Sequence, residues 1–434
     1  KYSDHISYPV KLHEIDKKDS EIKTLNEASA LWTRPAKEIK EEQYQEFFSH
    51  IGAGFGKPLL TMHNNTEGTI SYTNLICIPS TRPFDLFNPD RKSSLKLYIN
   101  RVFITDKCDA LIPSYLRFIK GLVDTQDIDL NVSREMLQNN PAVAKISKSL
   151  VGKILRELKK VSEKNADGYK SFWKEYGAVL KEGLYEDAER KEALLDLCRF
   201  STNENDDPIS LSEYVEKMPE KQKDIYYISA ETKDQALASP HLEGFKSKKI
   251  PVLIMTDAID QFWLPMVGSF KEKKFTSITQ GQINLDDLDE KNKDKKKDDK
   301  NEKEKKDKEY VDLVAQLKVV LGDQVKDIRL SSKLTDSPVC LVADEGDMDI
   351  AMEQLMAQRD TNYKGAPRIL EINGDHSLIK NMKSLLSKKE NNDLVSDAGT
   401  LLFEQARLME GKMPADPAQF SKIMNQFLLK AIPN

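Results

Sequence analysis

The sequence predicts a multidomain protein of the mixed α/β class, and three observations support this prediction. The chain has 434 residues, more than one hydrophobic core usually serves, so two to four domains are expected. A strand, a helix and a buried strand follow one another over residues 224–256, which is typical of a βαβ unit. Residues 393–428 carry two amphipathic helical patterns, which indicate a helical hairpin.

The first part of the chain combines strands with a long helix. Residues 69–78 partly alternate between apolar and polar side chains, and residues 95–104 are rich in β-branched and aromatic residues, so each range predicts one strand. A helix is expected to start with Asn140 as its cap and Pro141 at its first position. Its core-facing stripe comprises Val143, Ile146, Leu150, Ile154, Leu158 and Val161.

The βαβ unit is expected to form a small parallel sheet. Residues 224–229 and 250–256 are the two strands, and residues 233–246 form the helix between them. Folds of this kind often hold ligands at strand ends, but the fold alone assigns no function.

A charged segment follows at residues 286–309, where almost every residue is Asp, Glu or Lys. Such a segment cannot bury enough apolar area to offset the entropy lost on ordering it. It is therefore either a mobile linker or a frayed helix, with a recognition role as a further alternative.

The chain after this segment combines a second small sheet with helices. Val311–Val320 is predicted to be a helix, and Ile328–Ser331 and Val339–Val342 are predicted strands. The first terminal helix runs from Asp393 to Met409, and Gly411 is a plausible C-cap. The second begins at Asp416-Pro417 and places Phe420, Ile423, Met424, Phe427 and Leu428 on one side. Two apolar faces require a further domain or a second copy of the chain, and two-fold pairing is the commonest solution.

Composition excludes several classes of protein. The net charge of −5 is small for this length and argues against nucleic-acid binding. No apolar run is long enough to cross a bilayer, and no leader for secretion is visible at the start. The chain begins Lys1-Tyr2, so a fragment or a processed chain is expected. Its four cysteines form no C-x-x-C pair, which favours isolated thiols in a reducing compartment.

No complete active site is visible in the sequence. The glycine-rich segment 50–58 does not match a phosphate-binding loop, because the spacing between its glycines is too short and Pro58 follows Lys57. The six histidines are scattered without metal-ligand spacing, so no metal site is predicted. There is no G-x-S-x-G motif and no evident Cys–His couple.

Two stretches carry specific chemistry. Arg134 lies at the loop-to-helix junction 129–138, where its planar, permanently charged guanidinium either forms a structural ion pair or contacts a phosphate. Over residues 344–356, Met348, Met352, Leu355 and Met356 share one helical side. That side is either an ordinary core stripe or an adaptable apolar surface, since methionine repacks against many partners.

Several strings, in this order, resemble the ninety-kilodalton heat-shock chaperone family over essentially the whole chain, and most closely its bacterial HtpG-like branch. The matching strings are residues 31–35 (LWTRP), 78–87 (IPSTRPFDLF), 97–105 (LYINRVFIT), 116–124 (LRFIKGLVD), 131–138, 334–348 and 401–408. The charged segment 286–309 is longer than in many bacterial relatives. The segment around Gly52–Gly56 and residues 373–378 depart from the family pattern. The sequence ends at Pro433-Asn434 without the acidic tail that recruits helical-repeat co-chaperones, so either this branch lacks that partner class or the tail was removed.

The resemblance implies an ATP-dependent molecular chaperone in which this chain is the client-binding and dimerising part. Its expected units are a layered α-β-α middle-domain unit at residues 1–180 and a small α/β subdomain at 181–285. The charged insertion at 286–309 and an α+β C-terminal dimerisation domain at 310–434 follow. ATP and Mg²⁺ are expected on a missing N-terminal domain, so the fragment alone is not expected to hydrolyse ATP. The expected location is cytoplasmic, with an organelle not excluded.

The resemblance also implies roles for particular residues. Arg134, assisted by Gln138, would contact the γ-phosphate of ATP on the other domain, like an arginine finger. Unfolded client proteins would contact Trp32, Phe262, Met348, Met352, Leu355 and Met356. A homodimer would form through Leu394, Ala398, Leu402, Phe420, Ile423, Phe427 and Leu428. The alternative function is a self-contained α/β enzyme that binds a phosphorylated small molecule.

Overall fold

The structure is a computed structural model that describes most of the chain. The described residues are 11–12, 23–24, 30–51, 57–88, 94–129, 137, 139–285, 296–360, 363, 365–386 and 392–432. For residues 11–12, 23–24, 94 and 296–304, only the backbone is described.

Helices and strands are numbered here in chain order. The strands are β1 (Lys11–Leu12), β2 (Lys23–Thr24), β3 (Leu60–Thr66), β4 (Tyr72–Ile78), β5 (Ser94–Ile99), β6 (Val102–Thr105), β7 (Lys120–Thr125), β8 (Arg199–Thr202), β9 (Ile209–Ser210), β10 (Ile225–Ser229), β11 (Leu253–Met255), β12 (Ser269–Phe270), β13 (Lys273–Ser277), β14 (Val325–Leu330), β15 (Val339–Val342) and β16 (Arg368–Ile372). The helices are α1 (Glu41–His50), α2 (Pro141–Lys164), α3 (Ala166–Glu186), α4 (Lys191–Leu197), α5 (Leu211–Lys217), α6 (Lys233–Leu237), α7 (Glu243–Ser247), α8 (Asp260–Val267), α9 (Lys296–Leu321), α10 (Ile350–Arg359), α11 (Ser377–Leu386), α12 (Asn392–Met409) and α13 (Pro417–Ala431). Short 3-10 helices lie at Leu31–Thr33, Ala36–Glu38, Ser114–Leu116, Ala188–Arg190, Pro240–Leu242 and Gly322–Gln324.

The chain divides into two compact units, Lys1–Cys198 and Arg199–Asn434. The boundary expected at residue 180 falls inside α3, so one continuous helix crosses it. The expected division into residues 1–180, 181–285 and 310–434 stays a prediction, since residues 199–434 form one compact unit in which it is not tested. The mixed α/β class is confirmed, because each unit combines helices with mixed sheets.

The first unit contains a five-stranded sheet in the order β3-β4-β7-β5-β6. The β5–β7 pair is parallel and the other three pairs are antiparallel. Gly121 in β7 adopts φ +135°, and a Cβ there would lie 2.2 Å from the carbonyl oxygen of Leu75. Only glycine allows β4 and β7 to approach this closely.

The strand predicted over residues 95–104 is a β-hairpin instead. Strands β5 and β6 are joined by Asn100 and Arg101, which adopt φ values of 51° and 68°. Two-residue hairpin turns with positive φ values usually contain glycine, which makes them recognisable in a sequence. Here the Asp124 carboxylate accepts a hydrogen bond from the Arg101 backbone N–H at 3.1 Å and supports the turn.

Helix α2 begins where the sequence predicted. The Asn140 side chain accepts a hydrogen bond from the Ala142 N–H at 2.8 Å, and Pro141 occupies the first helical position. The predicted stripe is buried at Val143, Ile146, Leu150, Ile154 and Leu158.

The second unit opens with a six-stranded sheet in the order β12-β13-β10-β11-β8-β9. Strands β10 and β11 pair in parallel, as the βαβ pattern predicted. Strand β8 adds to β11 antiparallel, so the sheet is mixed and larger than expected. The helix predicted over residues 233–246 is broken into α6, a 3-10 turn and α7, because Pro240 interrupts the backbone hydrogen bonding.

A three-stranded sheet in the order β14-β16-β15 forms the second core of this unit. Its central strand β16 was not predicted. Helices α9, α12 and α13 contribute Leu313, Leu317, Val395, Leu402 and Phe403, together with Phe427 at the edge, to the same apolar cluster.

Part of the charged segment is helical. Helix α9 starts at Lys296 and continues to Leu321, so of the two structures considered the helix is observed over residues 296–309. Residues 286–295 lie outside the described part of the chain.

Candidate functional site

Helix α10 starts at a cap that fastens it to the larger sheet. One Asp349 carboxylate oxygen accepts a hydrogen bond from the Ala351 N–H at 2.9 Å. The other accepts from the Thr279 hydroxyl at 2.9 Å, just beyond the end of β13. The preceding loop is held by Gln280, whose amide donates to the Asp347 carbonyl at 2.6 Å. The helix therefore begins at Ile350, and Met348 lies in the loop before it rather than on the helix.

The inner side of α10 is fixed by a buried ion pair. Glu353 and Arg368 are 3% and 4% exposed and are joined by a hydrogen bond from the Arg368 Nη2. Arg368 also donates through Nη1 to the Met348 carbonyl at 3.1 Å, and the Ala366 N–H donates to Glu353 at 2.7 Å. A buried pair with these additional bonds sets the rotation of the helix, since either partner alone would be an uncompensated buried charge.

The opposite side of α10 carries Met352, Leu355 and Met356, which together with Met348 in the preceding loop we call the methionine face. At 3.6 residues per turn, Met352, Leu355 and Met356 are centred on the side away from Ile350 and Glu353. Met348 is 41% exposed, and the other three are half-buried. An ordinary core stripe would be buried, as Ile350 is. The structure therefore favours the adaptable surface over the core stripe.

A second apolar patch lies on α8. Phe262 is half-buried, and Met266 beside it is 62% exposed. Trp263 of the same helix is fully buried and donates its indole N–H to the carboxylate of Asp260, in the first turn of the helix, at 2.7 Å. Met266 was not among the residues predicted from the sequence. It lies four residues after Phe262 on one helix, and this spacing could have indicated that the two side chains share one side.

Trp32 does not lie on an accessible surface. It is 2% exposed and packs against Tyr98, with ring centroids 4.9 Å apart and the ring planes tilted by 49°. Its indole N–H donates to the Asp124 carboxylate at 2.8 Å. Burial and this hydrogen bond make Trp32 part of the first unit's core, so we leave it out of the client-binding surface proposed below.

The predicted dimer residues fall into two groups. Ala398, Leu402 and Ile423 are at most 8% exposed and are buried within their own unit, while Leu394, Phe420 and Phe427 are half-buried. Leu428 is 50% exposed. Around it the two terminal helices and their connection expose further apolar side chains, with exposures between 41% and 76%: Met409, Met413, Met424, Leu429 and Ile432. We call Leu428 and these five residues the terminal apolar residues.

Arg134 and Gln138 lie outside the described residues, as does the glycine-rich segment 52–56. The nearest described residues are Asp129 and the buried Leu137, followed by the cap of α2 at Asn140. The predicted role of Arg134 rests on the sequence.

Across the described part of the chain, no group of three His, Cys, Asp or Glu side chains could hold a metal ion. None of the described helices is long and apolar enough to span a membrane. The four cysteines are buried and form no disulfide, and burial raises the pKa of Cys77 to about 11.

Comparison with known proteins gives a consistent result. The family model described as "Hsp90 protein" matches residues 1–433. "Chaperone protein HtpG" of Roseobacter denitrificans is 45% identical over 433 residues, which cover 99% of this chain and 68% of the relative. The protein of the same name from Paramagnetospirillum magneticum is 46% identical and covers 100% of this chain and 68% of the relative. The one from Rhodospirillum rubrum is 42% identical, with coverage of 99% and 68%.

Proposed function

The chain belongs to the Hsp90 protein family, and from this premise we propose that it is the client-binding and dimerising part of an ATP-dependent molecular chaperone. The relatives' printed name, chaperone protein HtpG, supports a role in protein folding and the stress response. The chain spans 68% of the length of these relatives. This share is consistent with a piece that lacks their N-terminal domain.

The observation that carries the client-binding role is the methionine face of α10. Two anchors, the Asp349 cap and the Glu353–Arg368 pair, hold a helix whose outer side is apolar and partly exposed. Flexible, polarizable methionines on a rigid support can pack against many different apolar segments. Phe262 and Met266 on α8 extend the apolar surface of the same unit.

Suppression of aggregation tests this role. In the variant M348Q/M352Q/M356Q the side chains keep a similar length but become polar, so we expect it to protect a thermally unfolding model enzyme several-fold less well in light scattering. The control V311Q/V319Q removes exposed apolar side chains from α9 instead (56% and 80% exposed) and should protect like the unchanged chain. Equal protection by both variants would contradict the proposal.

Dimerisation is proposed from the terminal hairpin. The terminal apolar residues are six large apolar side chains that residues 409–432 leave exposed, and so much exposed apolar surface in one segment indicates a contact with a partner. A symmetric contact between two copies would cover it.

The proposed contribution to ATP hydrolysis rests on Arg134, with Gln138 as a helper. ATP and Mg²⁺ would bind to an N-terminal domain outside this chain, and the guanidinium would stabilise the charge that develops on the transferred phosphoryl group. With an ATPase domain supplied, R134A should lower kcat by about 10²-fold or more. The control R156A changes an arginine on helix α2 and should leave kcat unchanged.

Calorimetric titration of the chain with nucleotides separates this proposal from the alternative of a self-contained phosphate-binding enzyme. Tight ATP binding by these 434 residues alone would favour the alternative. We propose unfolded proteins and a second copy of the chain as partners, not nucleic acid or a membrane, and a cytoplasmic location.

A further inference from the structure

The second unit contains a cavity on the side of α10 that faces away from the methionine face. Its volume is about 1040 Å³, in the range of small-molecule sites. One wall is formed by the end of β10 and the turn before α7, including Ser229 and His241. The other is formed by the inner side of α10, the start of β16 and the end of α12. Ile350 and Ala357 of α10 line it, whereas Met352 and Met356 do not.

Buried polar atoms without hydrogen-bond partners concentrate in the residues that line this cavity. Seven such side-chain atoms occur among the described residues, and five of them belong to lining residues: Ser229 Oγ, His241 Nδ1, Arg368 Nε and both carboxylate oxygens of Glu410. The side chains of His241, Arg368 and Glu410 are at most 7% exposed. A buried polar group without a partner is costly, so a cluster of them indicates a binding partner.

Among these groups, the carboxylate of Glu410 is the strongest candidate for binding a ligand. Both of its oxygens are buried, and its ion-pair partner is Lys412, whose Nζ lies 3.2 Å from Oε2 and whose side chain is 36% exposed. Burial raises the pKa of Glu410, while Lys412 and Arg368 oppose the rise. The neighbouring Glu353, in contrast, is paired with Arg368, which is buried together with it. A donor from a ligand would therefore meet Glu410 rather than Glu353.

On the opposite wall, no group of the described residues donates a hydrogen bond to Nδ1 of His241. Burial, with Lys333 nearby, lowers the pKa of His241 to about 3, so the ring is neutral. Its ring makes a hydrogen bond with the backbone of Leu341. Nδ1 is then an acceptor, because a neutral imidazole carries only one N–H.

The lining favours a cation over an anion. Four acidic residues (Glu231, Asp323, Glu353, Glu410) and three basic residues (Arg368, Arg407, Lys412) line the cavity, and the unpartnered atoms are mainly acceptors. Most of the remaining surface is apolar, with Ile228, Leu341 and Phe403 among the lining residues. We propose that this cavity binds an amphipathic cation, in which an ammonium or guanidinium group donates to Glu410 and an apolar body packs against α10.

The site is separate from the proposed client-binding surface but uses the same helix. An occupant would contact Ile350 and Ala357, while clients would contact Met352 and Met356 on the far side. The proposal does not depend on the chaperone role, so either can fail without the other.

Methyl NMR of the full chain tests the site with three probes that carry alkyl chains of similar length: hexylguanidinium, hexanol and hexanoate. The methyl groups of Ile228 and Ile350 report on the cavity, and Ile146 in the first unit is the remote reference. We expect saturable shifts at Ile228 and Ile350 with hexylguanidinium and much weaker ones with the other two probes. Equal binding of hexanoate, or no saturable shift with any probe, would overturn the proposal.

Variants identify the group that binds the cation. E410Q keeps the shape of the side chain but removes its charge, and it should weaken hexylguanidinium binding by about 10-fold or more, since charge-assisted hydrogen bonds are the strong ones. The control E216Q removes an exposed charge from α5 and should leave the affinity unchanged. A357W places a bulky ring on an exposed lining position and should block the cavity without disturbing the core. Unchanged affinity in both E410Q and A357W would refute the site.

Discussion

The terminal hairpin offers the sharpest quantitative prediction, the effect of L428K on dimerisation. Burying a whole leucine side chain stabilises by about 1.5–3 kcal/mol. Leu428 is 50% exposed, so covering it contributes about half of that, roughly 0.8–1.5 kcal/mol per copy. A symmetric dimer counts each residue twice, which gives roughly 1.5–3 kcal/mol per dimer and a Kd raised about 10- to 150-fold. Enclosing two lysine charges in the contact would raise it further.

Sedimentation velocity over a concentration series measures this Kd. The control Q426K adds the same charge at an exposed polar position of α13 and should leave the Kd near that of the unchanged chain. L402K is a different control. Leu402 is 5% exposed and buried in its own unit, so this substitution should destabilise the fold at every protein concentration. An unchanged Kd for folded L428K, or a chain that is monomeric at tens of micromolar, would refute the reasoning.

Three further predictions concern the fold. E353A leaves Arg368 as an uncompensated buried charge and should lower the free energy of unfolding by about 3–5 kcal/mol in urea titrations, whereas E309A, from an exposed pair, should change it little. W32F removes the indole donor to the buried Asp124 and should lower the free energy of unfolding by about 1.5–3 kcal/mol. A free energy of unfolding equal to that of the unchanged chain would contradict the role of that hydrogen bond. Because the pKa of His241 falls from 6.5 to about 3 on folding, the unfolded chain binds the proton first, so stability should fall by up to about 1.4 kcal/mol per pH unit as the pH drops below 6.5. This component should be absent in H241Q.

Local signals in the sequence predicted those elements whose causes are local. The start of α2 followed from Asn140, Pro141 and the apolar stripe, all within a few turns. The start of α13 followed likewise from Asp416, whose carboxylate accepts hydrogen bonds from the Ala418 and Gln419 N–H groups. The turn at Asn100-Arg101 was missed because it lacks glycine and is supported by Asp124, a residue far along the chain.

Long-range partners explain what the sequence did not reveal. Strand β16 contains Arg368 and Glu371, which argue against a central buried strand until their partners are known. Glu353 pairs with the first, and Arg329 pairs with the second at 2.8 Å. Central strands with paired charges cannot be recognised from local hydrophobicity.

The candidate site also has some features with local causes and others that depend on distant partners. Helical spacing correctly grouped Met352, Leu355 and Met356 on one side of α10. Which side faces the interior is set by Glu353 and its distant partner, so spacing alone left the core stripe and the surface as alternatives. The burial of Trp32 depends on Asp124, which no local pattern indicates.

The most direct test of the central claim is methyl NMR of the methionines during titration with an unfolded protein. The account predicts that the methyl signals of Met348, Met352 and Met356 shift or broaden, while those of the buried Met255 and Met382 stay unchanged. Uniform changes at all methionines, or changes that leave the methionine face of α10 unaffected, would contradict it.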